Sequence, residues 1–444
     1  MFKIWHHFFI VIKKNGETMM KFYLITTLTF LSLTVSSQEQ TFCGGNQELL
    51  ISEEKALEKE MCLDPHHVIC EKNDNLKNYE SRSKKILKEI REKIKRKIFD
   101  EFKDDLTSCG ITDFNNFDVN TLKETRIQQS AHVGPCLLNI DPENPYNNLG
   151  IIDQMKQRLE IDYEIEIENE IKSRIPIAKE AFEIIKEKLI SVMKKELKSK
   201  LIKDDLENQI EKLNDTIPLF LVDYQSLRKQ FPQASINEIQ KIMSGYSQTC
   251  GYLTLSLNNA YYAKYKIENK ETDFMIICSG TVLSGMEESQ TLRSMIEAFA
   301  MVVSHELGHQ ISMNINDDKT FDHYNDCLIK NISHKEIKSS HFQYNKEAQA
   351  DFWAKRVVGE FLKDMSDSSV EDKIIFMRES SLILCGGMDE GIHHSAKLRI
   401  NKTFRYTAEY REAFNCSAYS DQMRIREPID CGLEGEKAFM VPEL

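Results

Sequence analysis

Residues Ala298 to Met313 read AFAMVVSHELGHQISM, an apolar run with the length and character of a buried helix, interrupted by His305, Glu306 and His309. A helix of this kind must sit at the centre of its domain, so three ionisable groups inside it need a chemical reason. Histidines four residues apart leave a helix on one face. Both imidazoles can therefore converge on one zinc ion, while Glu306 between them can take a proton from water held in the site.

A catalytic zinc takes three protein ligands and keeps a further position open. The third does not come from the HExxHxxGxxH arrangement, because residues 312 and 315 are Ser and Ile where that pattern needs Gly and His. A second helical segment instead carries Lys346-Glu347-Ala348-Gln349-Ala350-Asp351, with Glu347 and Asp351 four apart near its start. Glu347 is the expected third ligand. Asp351, one turn on, is placed to accept a hydrogen bond from the outer nitrogen of a ligand histidine and so hold its tautomer. An isolated HExxH occurs by chance in many proteins; the two motifs together point to one zinc per chain.

Elsewhere the pattern is mainly helical. Ile86, Ile90, Ile94, Ile98, Phe102 and Leu106 recur every fourth residue and predict an amphipathic helix over 81–106. Helical periodicity resumes after Pro176 to about Leu213 and returns over 291–313 and 344–365. Ile161, Tyr163, Ile165 and Ile167 alternate as in a strand but lie among strong helix formers, which leaves that stretch open. Two short strands are expected over 250–257 and 273–278, joined by the polar stretch 258–270. The i,i+4 stripes do not keep a heptad, so packed helices are favoured over a coiled coil.

The residues ahead of this body resemble an export signal: Lys21, the apolar run Phe22 to Val35, then Ser36 and Ser37. Met19 or Met20 is then a candidate start, and the run falls short of the roughly 20 residues a bilayer span needs. This predicts a secreted or periplasmic protein with no stable membrane span once residues 1–37 are removed. Eleven cysteines, all downstream and none in CxxC spacing, suit disulfides in an oxidising compartment and leave one unpaired within the chain. A net charge of −12 over 444 residues argues against nucleic acid as a partner.

Beyond the zinc motifs, three further segments resemble the neprilysin-like peptidases of the gluzincin group. Asn259-Ala260-Tyr261-Tyr262 is similar to the family's Asn-Ala-Tyr/Phe-Tyr element, which holds the substrate main chain through the Asn side chain and the Ala backbone. His393 to Arg399, followed by Ile400-Asn401, resembles its His-Ser-Pro-x-x-x-Arg-Val-Asn segment. Glu409 to Cys416 resembles its Glu-Phe-x-x-Ala-Phe-x-Cys element. The resemblance implies that His393 stabilises an oxyanion and that Arg399 orients substrate. Alignment without a gap to Arg399 selects His393, whereas Ser395 favours His394.

The chain departs from the family at Gly391, where Asp is usual before the histidine, at Phe352-Trp353, and at Cys278 to Thr281. The match covers about 250–420, and the part before it is far shorter than the family's. The implied fold is α+β and mainly helical: a helical, disulfide-containing domain over 38–245, then a zincin-like domain over 246–444 with a small sheet and the HExxH helix. The implied activity is peptide-bond hydrolysis on a peptide or protein substrate, with Glu306 as general base. A different gluzincin with exopeptidase action, or a helical interaction protein with a structural or inactive zinc site, are the competing readings.

Overall fold

The computed structural model describes residues 11–14, 17–20, 44–71, 82–108, 151–201, 203–251, 259–284, 292–315, 318–331, 342–385, 396–419, 429–433 and 435–438. Residues 1–50 and 51–444 form two units. In the first, β1 (Val11–Lys14) pairs antiparallel with β2 (Glu17–Met20), inside the segment read as a signal.

The helices among the described residues are α1 (Gly44–Leu63), α2 (Arg82–Glu101), α3 (Lys103–Ser108), α4 (Ile151–Leu197), α5 (Lys203–Asn214), α6 (Tyr224–Gln230), α7 (Ile236–Cys250), α8 (Ser279–Ser284), α9 (Leu292–Asn314), α10 (Asp322–Asn331), α11 (Phe342–Asp364), α12 (Val370–Cys385), the single turn α13 (Ala396–Leu398) and α14 (Ala408–Ala413). The HExxH helix, α9, is the hub. It packs on α11, α4 and α12, and its buried residues, from Met295 and Phe299 to Leu307 and Ile311, lie all round its circumference. On α2 the predicted stripe is the one that turns inward, with Ile90, Ile94 and Ile98 buried against the core.

Two expectations are corrected. Helix α4 does not begin after Pro176 but runs through it for 47 residues, and the undecided stretch 161–167 is part of it. Proline removes one backbone hydrogen bond, yet the turns on either side bury Ile167, Ile171, Ala178 and Phe182. That burial outweighs the local penalty. The alternation at 161–167 places Ile161 and Ile165 on an exposed helical face, about half accessible, and turns Tyr163 and Ile167 toward the core.

The second correction concerns the sheet. Cys250 ends a helix and residues 252–257 of the expected first strand lie outside the described residues; the strand that precedes β5 is β4 (Ala260–Ile267), inside the stretch expected to be a connection. It turns through Glu268 and Asn269, both at positive φ (51° and 65°), directly into β5 (Lys270–Ile277). This is a two-residue hairpin of the kind usually signalled by Asn-Gly or Asp-Gly. Glu-Asn carries the same geometry without that signal.

With β3 (Ile217–Leu219) parallel to β5, the sheet order is β3-β5-β4. Central β5 is buried on both faces, which explains its uninterrupted Phe274-Met275-Ile276-Ile277. Phe274 and Ile276 pack with Leu227, Ile239 and Ile242 of α6 and α7. Met275 and Ile277 face the core that contains α9. Residue 245, where a division was expected, lies within α7. A third pair, β6 (Ile429–Gly432) and β7 (Gly435–Ala438), lies near the end of the described chain.

Four disulfides join Cys62 to Cys416, Cys70 to Cys385, Cys250 to Cys278 and Cys327 to Cys431. The first two staple the end of α1 and the turn that follows it to positions more than 300 residues later. Cys43, Cys109 and Cys136 lie outside the described residues. Among the described residues no helix is long and apolar enough to cross a membrane.

Candidate metal centre

The site forms where α9 crosses α11. Gly308 permits the crossing: a Cβ there would stand 3.0 Å from the Cα of Ala350, 3.1 Å from its carbonyl oxygen and 3.2 Å from the Cβ of Trp353. This close approach brings His305 and His309, on either side of Gly308, against Glu347 and Asp351, on either side of Ala350. The imidazole rings lie 4.7 Å apart and nearly perpendicular, at 85°.

His305 Nε2 is 3.1 Å and His309 Nε2 3.4 Å from the same oxygen, Oε2 of Glu347. Ligand atoms of the three residues all lie within 4.8 Å of one another. Tetrahedral ligands with bonds of about 2.1 Å sit about 3.4 Å apart, close to the spacing of each histidine from Glu347. His305, His309 and Glu347 can hold a metal ion.

Behind the ligands lies a buried chain of charges. His305 Nδ1 donates to Asp351 Oδ1 at 2.8 Å. Arg399 clamps the same carboxylate with Nη2 to Oδ1 at 2.6 Å and Nε to Oδ2 at 2.8 Å. Burial would push the Asp351 carboxyl upward, but the Arg399 charge and the His305 hydrogen bond hold it well below the usual carboxylate range. Burial likewise works against a charged His305, yet the bonds to Asp351 and Glu347 outweigh it and lift its pKa to about 9. A metal ion and a proton compete for the same Nε2.

Glu306 points away from this chain toward the sheet. Its Oε2 accepts the backbone N–H of Tyr262 at 3.2 Å. Strand β4 is the sheet edge, and backbone groups alternate in direction along a strand. The backbone groups of Ala260, Tyr262 and Lys264 that the ladder with β5 does not use therefore all face the side on which Glu306 stands. Asn259 caps this edge: its side-chain oxygen accepts the N–H of Ala260 at 2.9 Å, and its carbonyl accepts from Cys278 N at 2.9 Å and Thr281 Oγ1 at 2.8 Å.

Residues not singled out in the sequence complete the join between strand and helix. Tyr262 donates its hydroxyl to Asp273 Oδ1 at 2.6 Å; Gln310 donates to Asp273 Oδ2 at 3.3 Å and accepts from Thr216 at 2.9 Å. Burial and the Asp273 contact both push the Tyr262 phenol upward. The available signal was that Gln310 is a polar interruption of an apolar run and that Asp273 borders one. Arg399, expected to orient substrate, is turned onto Asp351. His393 and His394 lie outside the described residues. No protein-family model matches the chain, and no curated protein matches it.

Proposed function

We propose that this chain is an exported zinc peptidase that hydrolyses peptide bonds, with His305, His309 and Glu347 holding the metal and Glu306 as general base. The observation that carries the reading is Glu306 itself, fixed by the Tyr262 N–H between the candidate ligands and the open edge of a strand. A structural site has no use for a carboxylate there.

Bound in this site, zinc would supply Lewis acidity toward water and toward a carbonyl oxygen. Glu306 keeps one oxygen on Tyr262 and offers the other to the attacking water, then returns the proton to the departing amine. An extended peptide pairs along β4 through the carbonyls of Ala260 and Tyr262, whose N–H groups are held by Asn259 and Glu306, and this sets the peptide's own carbonyl against the site. Asp351 and Arg399 hold the His305 ring in one orientation. The family resemblance assigns oxyanion stabilisation to His393.

The competing reading is a helical interaction protein with a structural zinc. Such a site closes with four protein ligands, and three are found among the described residues. Export rests on the signal-like leader, and the four disulfides suit an oxidising compartment.

Glu306→Gln tests the proposal. Zinc content should match the wild type while peptide cleavage falls by about 10²–10⁴-fold. Wild-type protein loaded with zinc that cleaves nothing in a broad peptide library would sink the peptidase and leave the interaction protein.

A further inference from the structure

We propose that Asn401 is a positioning residue of the metal centre, through which the disulfide-stapled segment Cys62–Cys70 holds Arg399, and so Asp351 and His305, in place. The proposal rests on His305, His309 and Glu347 being a metal centre, and not on peptidase activity.

Arg399 opens a short wide turn, Arg399–Thr403, that continues into a second irregular turn, Phe404–Tyr406. Such turns lack the register of an α-helix, and a turn this short does not fix its own side-chain directions. Something outside it must.

Asn401, two residues after Arg399, is buried and held at both ends of its amide. Its Nδ2 donates to Asp64 Oδ1 at 2.8 Å, and its Oδ1 accepts the backbone N–H of His66 at 2.7 Å. Asp64 is itself oriented by the N–H of His67 at 3.1 Å. These partners lie more than 330 residues away in sequence. They sit between Cys62, bonded to Cys416, and Cys70, bonded to Cys385. With both ends of the hook tied covalently, its partners reach Asn401 at little further entropic cost.

The links run in series: the hook fixes Asn401, whose turn fixes Arg399. Arg399 grips both oxygens of Asp351, and Asp351 sets the ring of His305. Partners behind a metal ligand typically change metal affinity about 10–100-fold when lost. Here the last support lies one step further out, in a segment that touches no ligand.

The test exchanges the two side chains. In Asn401→Asp the acceptor for His66 survives, but a second carboxylate faces Asp64. Adding Asp64→Asn restores donor to acceptor with the direction reversed, at the cost of the His67 N–H bond, which shares Asp64 Oδ1 with Asn401 in the wild type. Zinc affinity is read by competition with a chromophoric chelator, beside the melting temperature of each protein.

Asn401→Asp should bind zinc about 10-fold or more weakly, and the double exchange should return affinity to near the wild-type value. Wild-type affinity in Asn401→Asp overturns the proposal. So does a double exchange that melts like the wild type yet binds as weakly as the single variant. If Asn401→Asp does not fold, Asp64→Ala carries the comparison: weaker zinc binding supports the role, and unchanged binding refutes it. Wild-type protein that takes up no zinc would refute the metal centre itself.

Discussion

Replacing Gly308 with alanine sets two known effects against each other at the helix crossing that builds the site. In an exposed helix, glycine to alanine gains about 1 kcal/mol, because alanine loses less backbone entropy on folding. At position 308 the new Cβ lands 3.0 Å from the Cα of Ala350 and 3.1 Å from its carbonyl oxygen. Both are backbone atoms of a buried helix, so no side chain can swing aside and α9 must part from α11 by several tenths of an ångström. Overpacking of this kind costs about 1–3 kcal/mol.

The net for Gly308→Ala is a loss of roughly 0–2 kcal/mol. Gly308→Val should lose more, since a β-branched side chain forfeits much of the propensity gain and adds two methyls to the clash. The metal site should suffer more than the fold. His305 and His309 leave α9 beside the contact, Glu347 leaves α11, and ligand distances tolerate only about 0.2 Å. Urea denaturation and chelator competition on the two variants would read stability and zinc affinity separately. An alanine variant that gains the full increment of about 1 kcal/mol with unchanged zinc affinity would show that the helices part freely, and would refute the reasoning.

Two other outcomes follow from the same structure. Glu409 is buried against Arg356 at 3.0 Å, with Lys195 at 3.5 Å and Lys363 at 3.6 Å. Burial opposes its charge, but Arg356 first and the lysines after it bring its pKa down to about 2 from an ordinary 4.5. A depressed folded-state pKa contributes stability that is complete above about pH 4.5 and disappears as pH falls toward about 2, here on the order of 3 kcal/mol. Urea denaturation from about pH 6 to about pH 3 should show the gap between wild type and Glu409→Gln shrinking with acid; a constant gap would contradict this. Pro176 is solvent-exposed inside α4. Pro176→Ala loses no packing and regains a helical hydrogen bond, so it should stabilise by about 1–3 kcal/mol; no rise in melting temperature would mean the proline is accommodated without strain.

Much of this protein is legible in one dimension. The elements α2, α9 and α11 could be placed within a few residues, because each carries a face that repeats every three to four positions and must be buried. The ligand set was legible for a related reason: spacing along one helix is spacing in space, so His305 with His309, and Glu347 with Asp351, are neighbours by geometry alone. Local rules failed where a distant contact overrode them, as at Pro176 inside a well-packed α4, or where an unusual residue pair made a familiar turn, as at Glu268-Asn269.

What tertiary structure alone decided is how these local pieces meet. Sequence spacing says nothing about the angle at which α9 crosses α11, and Gly308 discloses its purpose only when Ala350 is seen against it. Tyr262 reaches Glu306 through a backbone N–H, a group every residue but proline possesses and no motif can mark. Asn401 meets Asp64 across 337 residues, closed by disulfides whose pairing no count of cysteines reveals. Periodicity determined the helices and the chemistry each one carries; the site itself exists because long-range packing, which sums contacts from the whole chain, sets those helices a few ångströms apart.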